Sequence, residues 1–232
     1  MGSIGGLWHK SRVGDFPPPP GAGCFSDRHV LHEGDRTLVI SHKYRFIFVH
    51  AGRTGGSTFE RLAEMGVTWD KRTQHLGNTD FPEKHASIQY YQDRYPREFA
   101  EYFKFTLVRN PFDRVVSAWI WRTRVVKDVG PCSLKDFIRA RRPSSSYASK
   151  FALRGASLRE SIARLDYIGR FEDLPAPYEY LCRKLGIPSQ SIPHTNRTPI
   201  EKYWEYYDAE SVEMVRKLYP EDIEVFDYDF GK

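Results

Sequence analysis

Nine residues, His50-Ala51-Gly52-Arg53-Thr54-Gly55-Gly56-Ser57-Thr58, combine three glycines, one arginine and three hydroxyl side chains. An apolar run, Phe46 to Val49, precedes them, and an amphipathic segment, Phe59 to Met65, follows. A strand, a glycine-bearing turn and a helix start together make an anion cradle. Glycine lets backbone approach a ligand closely and adopt positive φ. The first amides of a helix lack internal partners, and the helix dipole favours negative charge there. Arg53, Thr54, Ser57 and Thr58 add side-chain donors.

A second apolar run, Phe103 to Val108, ends in Arg109, and Ser117 follows eight residues later. That spacing puts Ser117 just over two turns into the next helix, where it and Arg109 can grip one phosphate. The first stretch is not a Walker A sequence, because no Gly-Lys-Ser/Thr completes it. A nucleoside triphosphatase also wants an acidic residue after the second strand to hold magnesium. A cation at that point binds an anion directly, without a metal. Two anion grips on adjacent strand ends fit a nucleotide phosphorylated at both its 5′ and 3′ positions.

The elements that must position these residues are legible from apolar patterning. Leu38 to Ile40 and Phe46 to Val49 read as strands around a polar turn at 41–43. The second is apolar on both faces and is expected to be central in a buried sheet. A helix is expected from about Ser57, and residues 66–84 are polar and irregular. Residues 86–102 read as helix in two pieces, broken near Pro96. Phe103 to Val108 is a strand, and Pro111 suits the first turn of a helix that carries Phe112, Val115, Val116, Trp119 and Ile120 at helical spacing. Residues 141–150 read as a mobile loop. Tyr167 to Gly169 is a third strand, followed by a helix to about Leu185; another helix spans Ser211 to Leu218. This alternation predicts an α/β, three-layer, P-loop-like fold with a mainly parallel central sheet flanked by helices. Ligands of such folds bind beyond the carboxyl ends of the strands, where the 50–58 loop and Arg109 sit. Residues 1–36, with Pro17 to Pro20 followed by Gly21-Ala22-Gly23, read as an extended arm or linker, and 37–232 as a single domain.

Composition narrows the partners. The chain has 232 residues, 40% apolar and 15% aromatic, enough for a real core. Its charge, 35 basic against 30 acidic residues, suits an anionic ligand but is too weak to argue for nucleic acid. Cys24, Cys132 and Cys182 are widely spaced, odd in number and without a Cys-x-x-Cys, so reduced thiols are expected rather than disulfides or zinc. No apolar core of a signal peptide and no run of ~18 apolar residues occurs. The expectation is a soluble, cytoplasmic protein without a membrane segment, or one in the Golgi lumen if trimmed from a longer precursor.

With both phosphate segments in view, the chain resembles sulfotransferases that use 3′-phosphoadenosine 5′-phosphosulfate (PAPS). The resemblance is closest to the carbohydrate O-sulfotransferases of the chondroitin, dermatan and heparan 2-O type. Phe46 to Leu62 resembles the family's 5′-phosphosulfate loop, and Lys104 to Trp119, KFTLVRNPFDRVVSAW, its 3′-phosphate segment. Tyr167 to Ile187 and the tail from His194 through Phe230 also fit. The resemblance implies that Thr54, Gly55, Gly56, Ser57 and Thr58 bind the 5′-phosphosulfate and that Arg109 and Ser117 bind the 3′-phosphate. Arg197 and Thr198 match a loop that closes over the nucleotide, and Arg170 matches less fully. It implies transfer of sulfate to an acceptor hydroxyl, release of adenosine 3′,5′-bisphosphate, and no metal. His85, in Lys84-His85-Ala86, matches a family pattern and is the candidate general base. One departure stands out: the family usually has lysine where this chain has Arg53. Both can stabilise charge on the leaving phosphate, but arginine is larger, stays charged and offers a planar fork.

Other readings stay open beside this one. The acceptor is a sugar hydroxyl by resemblance, with a small-molecule or natural-product acceptor as the alternative. A non-catalytic nucleotide-binding protein and a P-loop kinase or phosphatase are rivals of other classes. His50 reads as a buried structural histidine and His194 as an ordering residue of the late loop. Asp113 reads as a helix-stabilising residue. Arg139, Arg141, Arg142, Lys150 and Arg154 are either an anionic-acceptor surface or simply solvated. Tyr203, Trp204, Tyr206 and Tyr207 are expected to be at least half core.

Overall fold

Four strands form the sheet. β1 (Ile40–Ser41) pairs antiparallel with β2 (Phe46–Val49), which pairs parallel with β3 (Phe103–Val108), which pairs parallel with β4 (Tyr167–Arg170). The computed structural model describes residues 40–42, 44–56, 59, 86–140, 146–188, 200 and 202–231. All of these lie in one compact unit, Leu31–Lys232. The expected arm over 1–36 lies outside the described residues, as do Leu38 and Val39 of the first expected strand.

The period of two along β2 and β3 builds the layers. Ile47, Val49 and Val108 point to one face, against Ile88, Tyr91, Phe99, Tyr147 and Phe151. Phe46, Phe48, Phe105 and Leu107 point to the other, against Phe59, Tyr178, Leu181 and Cys182. On the first face lie α1 (Ile88–Arg94) and α2 (Pro96–Glu101), divided at Pro96 as expected. The opposite face is covered by α7 (Pro175–Leu185). The fold class expected from sequence is therefore the one observed, a mainly parallel sheet between helical layers.

Between β3 and β4 the chain forms α3 (Pro111–Ile120), a π-helical turn (Trp121–Val126), α4 (Leu134–Arg139), α5 (Tyr147–Phe151) and α6 (Leu158–Ile162). The C-terminal part carries α8 (Ala209–Leu218) and α9 (Pro220–Val225), and α3, α4 and α8 share a third cluster of buried apolar side chains. The expectation of a loop over 141–150 fails for its second half. Ser146 caps α5, and Tyr147 is fully buried. The polar run of serines hid a helix cap followed by an aromatic anchor: Tyr147 stacks on Phe151 and lies edge-on to Phe226. Residues 141–145 lie outside the described residues.

Candidate nucleotide site

The parallel register pairs Val49 with Thr106, so the chain leaves β2 and β3 side by side. Beyond β2, His50 and Ala51 are buried, and the backbone then turns through Arg53 at φ 65° and Gly55 at φ 78°. A left-handed conformation costs an arginine roughly 1–2 kcal/mol. Two contacts hold it there. The Thr54 hydroxyl donates to the Ala51 carbonyl (2.7 Å), and the Arg53 carbonyl accepts from Arg109 Nη1 (3.1 Å). A Cβ at Gly55 would lie 2.9 Å from the Phe171 ring, and one at Gly56, where the chain becomes helical, 2.0 Å from His50 Nε2. The turn is bare backbone pressed between two rings.

At the end of β3, Asn110 caps α3 by accepting from the Phe112 amide, and Pro111 opens the helix. The same corner is tied down from several directions. The Asn110 amide donates to Glu172 (2.6 Å), and its side chain donates to Tyr203 and to the Asp229 carbonyl. The Tyr147 hydroxyl accepts from the Arg109 amide (2.7 Å) and donates to the Arg109 carbonyl (3.0 Å). Burial pushes that phenol up to about 12, so it keeps its proton.

Arg109 is buried, at 6% exposure, and its guanidinium is held by Asp113, Phe171 and the Arg53 carbonyl. Nε and Nη2 donate to the two oxygens of Asp113, both at 2.8 Å, and its face lies 4.0 Å from the centre of the Phe171 ring. Asp113 thus does more than stabilise a helix: it neutralises and orients Arg109, a bidentate role that fixes direction as well as charge. Next to this pair, Arg53 directs Nε and Nη2 to the Ser117 hydroxyl, at 3.2 and 3.0 Å. Burial, and after it the nearby Arg109 charge, lower Arg53 to about 10, which still leaves it charged at neutral pH.

The structure therefore joins the two segments singled out in the sequence by direct contacts. Ser117 receives Arg53, while Arg109 reaches Asp113 and the Arg53 carbonyl. The Thr54 hydroxyl, expected to face an anion, is turned onto Ala51, so what Thr54 offers is its amide. Arg170, at the end of β4, donates to the Phe226 carbonyl (2.6 Å) and lies over Tyr228. Ser57, Thr58, His85, His194, Arg197 and Thr198 lie outside the described residues. His50 is buried against Phe48 and beneath Gly56, in keeping with a structural histidine.

Of the basic stretch, Arg139 pairs with Glu210 and Arg154 with Asp93, while Arg141 and Arg142 lie outside the described residues. In the aromatic run, Tyr203 is buried, the Tyr207 hydroxyl donates to Phe112, Tyr206 packs edge-on to Trp119, and Trp204 is exposed. Sequence reasoning missed Tyr147, Phe171 and Trp121, and read Asp113 too narrowly. Only Asp113, four residues after an arginine on a helix, carried a local signal. Among the described residues no cluster of His, Cys, Asp and Glu could hold a metal, and no helix is long and apolar enough to cross a membrane.

No curated protein matches the chain in sequence. Among solved structures, mouse sulfotransferase SULT7A1 complexed with PAP is similar at 12% identity, over 80% of this chain and 67% of that one. Its TM-score of 0.39 carries no site geometry across. The profile of the sulfotransferase family matches residues 36–229, taking in the glycine turn, Arg109 and Ser117, and the chain belongs to that family.

Proposed function

We propose that the protein transfers a sulfuryl group from PAPS to an acceptor hydroxyl, and that the acceptor is a carbohydrate. The observation that carries the reading is the Arg53 fork on Ser117. It draws the residue at the glycine turn and a residue of the second segment to one point. The residues present fit the donor. The backbone at Gly55 and Gly56 admits no Cβ, and a buried, oriented cation, Arg109, stands at the next strand end.

In this reading the amides from Thr54 to Thr58, with the hydroxyls of Ser57 and Thr58, hold the 5′-phosphosulfate. Arg109 and Ser117 hold the 3′-phosphate, with Arg170, Arg197 and Thr198 completing the nucleotide site. PAPS supplies the activated sulfuryl group. Arg53 stabilises charge developing on the leaving phosphate oxygen, and His85 takes the proton of the attacking hydroxyl. Asp113, Phe171 and Tyr147 keep Arg109 in one orientation, so little reorganisation is needed when charge moves. The carbohydrate acceptor is supported by the likeness of Lys104 to Trp119 and of Lys84-His85-Ala86 to the glycan O-sulfotransferases.

The test is radiolabelled sulfate transfer from PAPS to desulfated chondroitin, dermatan and heparan chains beside a panel of phenols and small alcohols. Label in a glycan is expected. Label only in small molecules overturns the acceptor. Tight binding of adenosine 3′,5′-bisphosphate with neither transfer nor hydrolysis of PAPS overturns the catalytic reading. Thermal stabilisation by magnesium ATP but not by adenosine 3′,5′-bisphosphate overturns the donor.

A further inference from the structure

Ser117 and Trp121 are four residues apart, so they rise from the same side of α3, one turn from each other. Trp121 opens the π-helical turn, a local widening that recurs at functional sites. Its amide donates to the carbonyls of Ala118 and Ser117, which ties its backbone to the turn that carries the Ser117 hydroxyl. Trp121 is 37% exposed, and the centre of its ring lies 5.2 Å from the central carbon of the Arg53 guanidinium. Arg53 thus uses two different parts of one planar group. Its Nε and Nη2 donate to Ser117, and its central carbon lies over the Trp121 ring.

From this arrangement, and resting on the PAPS reading above, we infer that Trp121 is a positioning residue for Arg53, and that it makes arginine rather than lysine the working cation of this turn. A guanidinium has both an edge and a face, while an ammonium is a compact point charge that directs bonds from one atom. A lysine bound to Ser117 therefore gains little orientation from an indole. The Trp121 ring beside the guanidinium restricts how it can rotate about its bonds to Ser117. The environment agrees: burial and Arg109 press against charge at this position, and arginine tolerates that pressure best.

The experiment is a double-mutant cycle of R53K and W121L, read by nucleotide binding. For each variant, Kd is measured for adenosine 3′,5′-bisphosphate and for adenosine 3′-monophosphate. Their ratio isolates the hold on the 5′-phosphate, and kcat is recorded beside it. With Arg53 present, W121L is expected to lower the ratio about fivefold, and W121F to restore most of it. In the R53K background, W121L is expected to change the ratio less than twofold. If W121L does not fold, W121M takes its place, keeping the bulk without the ring. Equal loss in both backgrounds, or no loss in either, overturns the inference. A wild-type protein that binds neither nucleotide, or does not prefer the one with a 5′-phosphate, overturns the PAPS reading instead.

Discussion

Arg53→Lys has a pH signature that follows from the surroundings of this one position. Burial, and then the Arg109 guanidinium paired with Asp113, bring Arg53 down to about 10. The same surroundings acting on a lysine, ordinarily near 10.4, push it down in the same direction. The form that stabilises the leaving phosphate is the charged one, which exists below the pKa and disappears as pH rises through it. A lysine so lowered loses its proton at lower pH than Arg53, so kcat/KM for R53K should fall earlier and more steeply than that of the wild type as pH rises from 7 to 9.5, approaching about tenfold per pH unit once above its pKa. The wild type keeps its charge over that window. Stability should move the other way. Between its lowered folded value and its unfolded value near 10.4, the unfolded R53K chain holds a proton that the folded one has lost, so the variant gains stability as pH rises through that interval. Parallel measurement of kcat/KM for PAPS from pH 6.5 to 9.5, with denaturant midpoints at the same pH values, checks both arms. Superimposable profiles for R53K and wild type would show that residue 53 is not the cation at the leaving group, or that the turn is solvated in the working enzyme.

Three further outcomes are expected. Arg109→Ala should weaken nucleotides bearing a 3′-phosphate about 30-fold or more, far more than those without it, as isothermal titration with matched nucleotides would show; equal losses would make Arg109 purely structural. His85→Ala should leave adenosine 3′,5′-bisphosphate affinity intact and cut kcat by about 10²; unaltered turnover would remove His85 from the proton transfer. Gly56→Ala puts a methyl group where His50 stands, and should cost about 1–3 kcal/mol in urea unfolding. His50→Ala added to it should recover part of that loss, and a G56A chain as stable as wild type would mean the turn repacks freely.

Much of the scaffold was legible from residue order. The limits of β3, the break at Pro96, the helix opening at Pro111 and the strand from Tyr167 all follow from apolar runs and proline chemistry, which act over a few residues. The helix α5 was not, because its reason for existing is remote. Ser146 and Tyr147 look like loop residues until Asp222 accepts the Tyr147 amide and Arg114 covers its ring. The specificity of the Arg109 to Trp119 segment has a similar origin. Asn110, Asp113, Arg114 and Trp119 hold structure, through Tyr203, Arg109, Asp222 and the Cys132 carbonyl.

From residue types and spacing alone came the two segments proposed to bind anions, their place at strand ends and the family they resemble, because those signals are local. Which side chains meet across the site was decided by the tertiary structure. Arg53 and Ser117 are 64 positions apart, and nothing in either neighbourhood states that they bond. The parallel register of β2 on β3 aligns their carboxyl ends, and the fixed length of α3 to Ser117 and Trp121 then determines what the arginine can reach. Periodicity says which face a residue takes. Only the packed sheet says what stands opposite it.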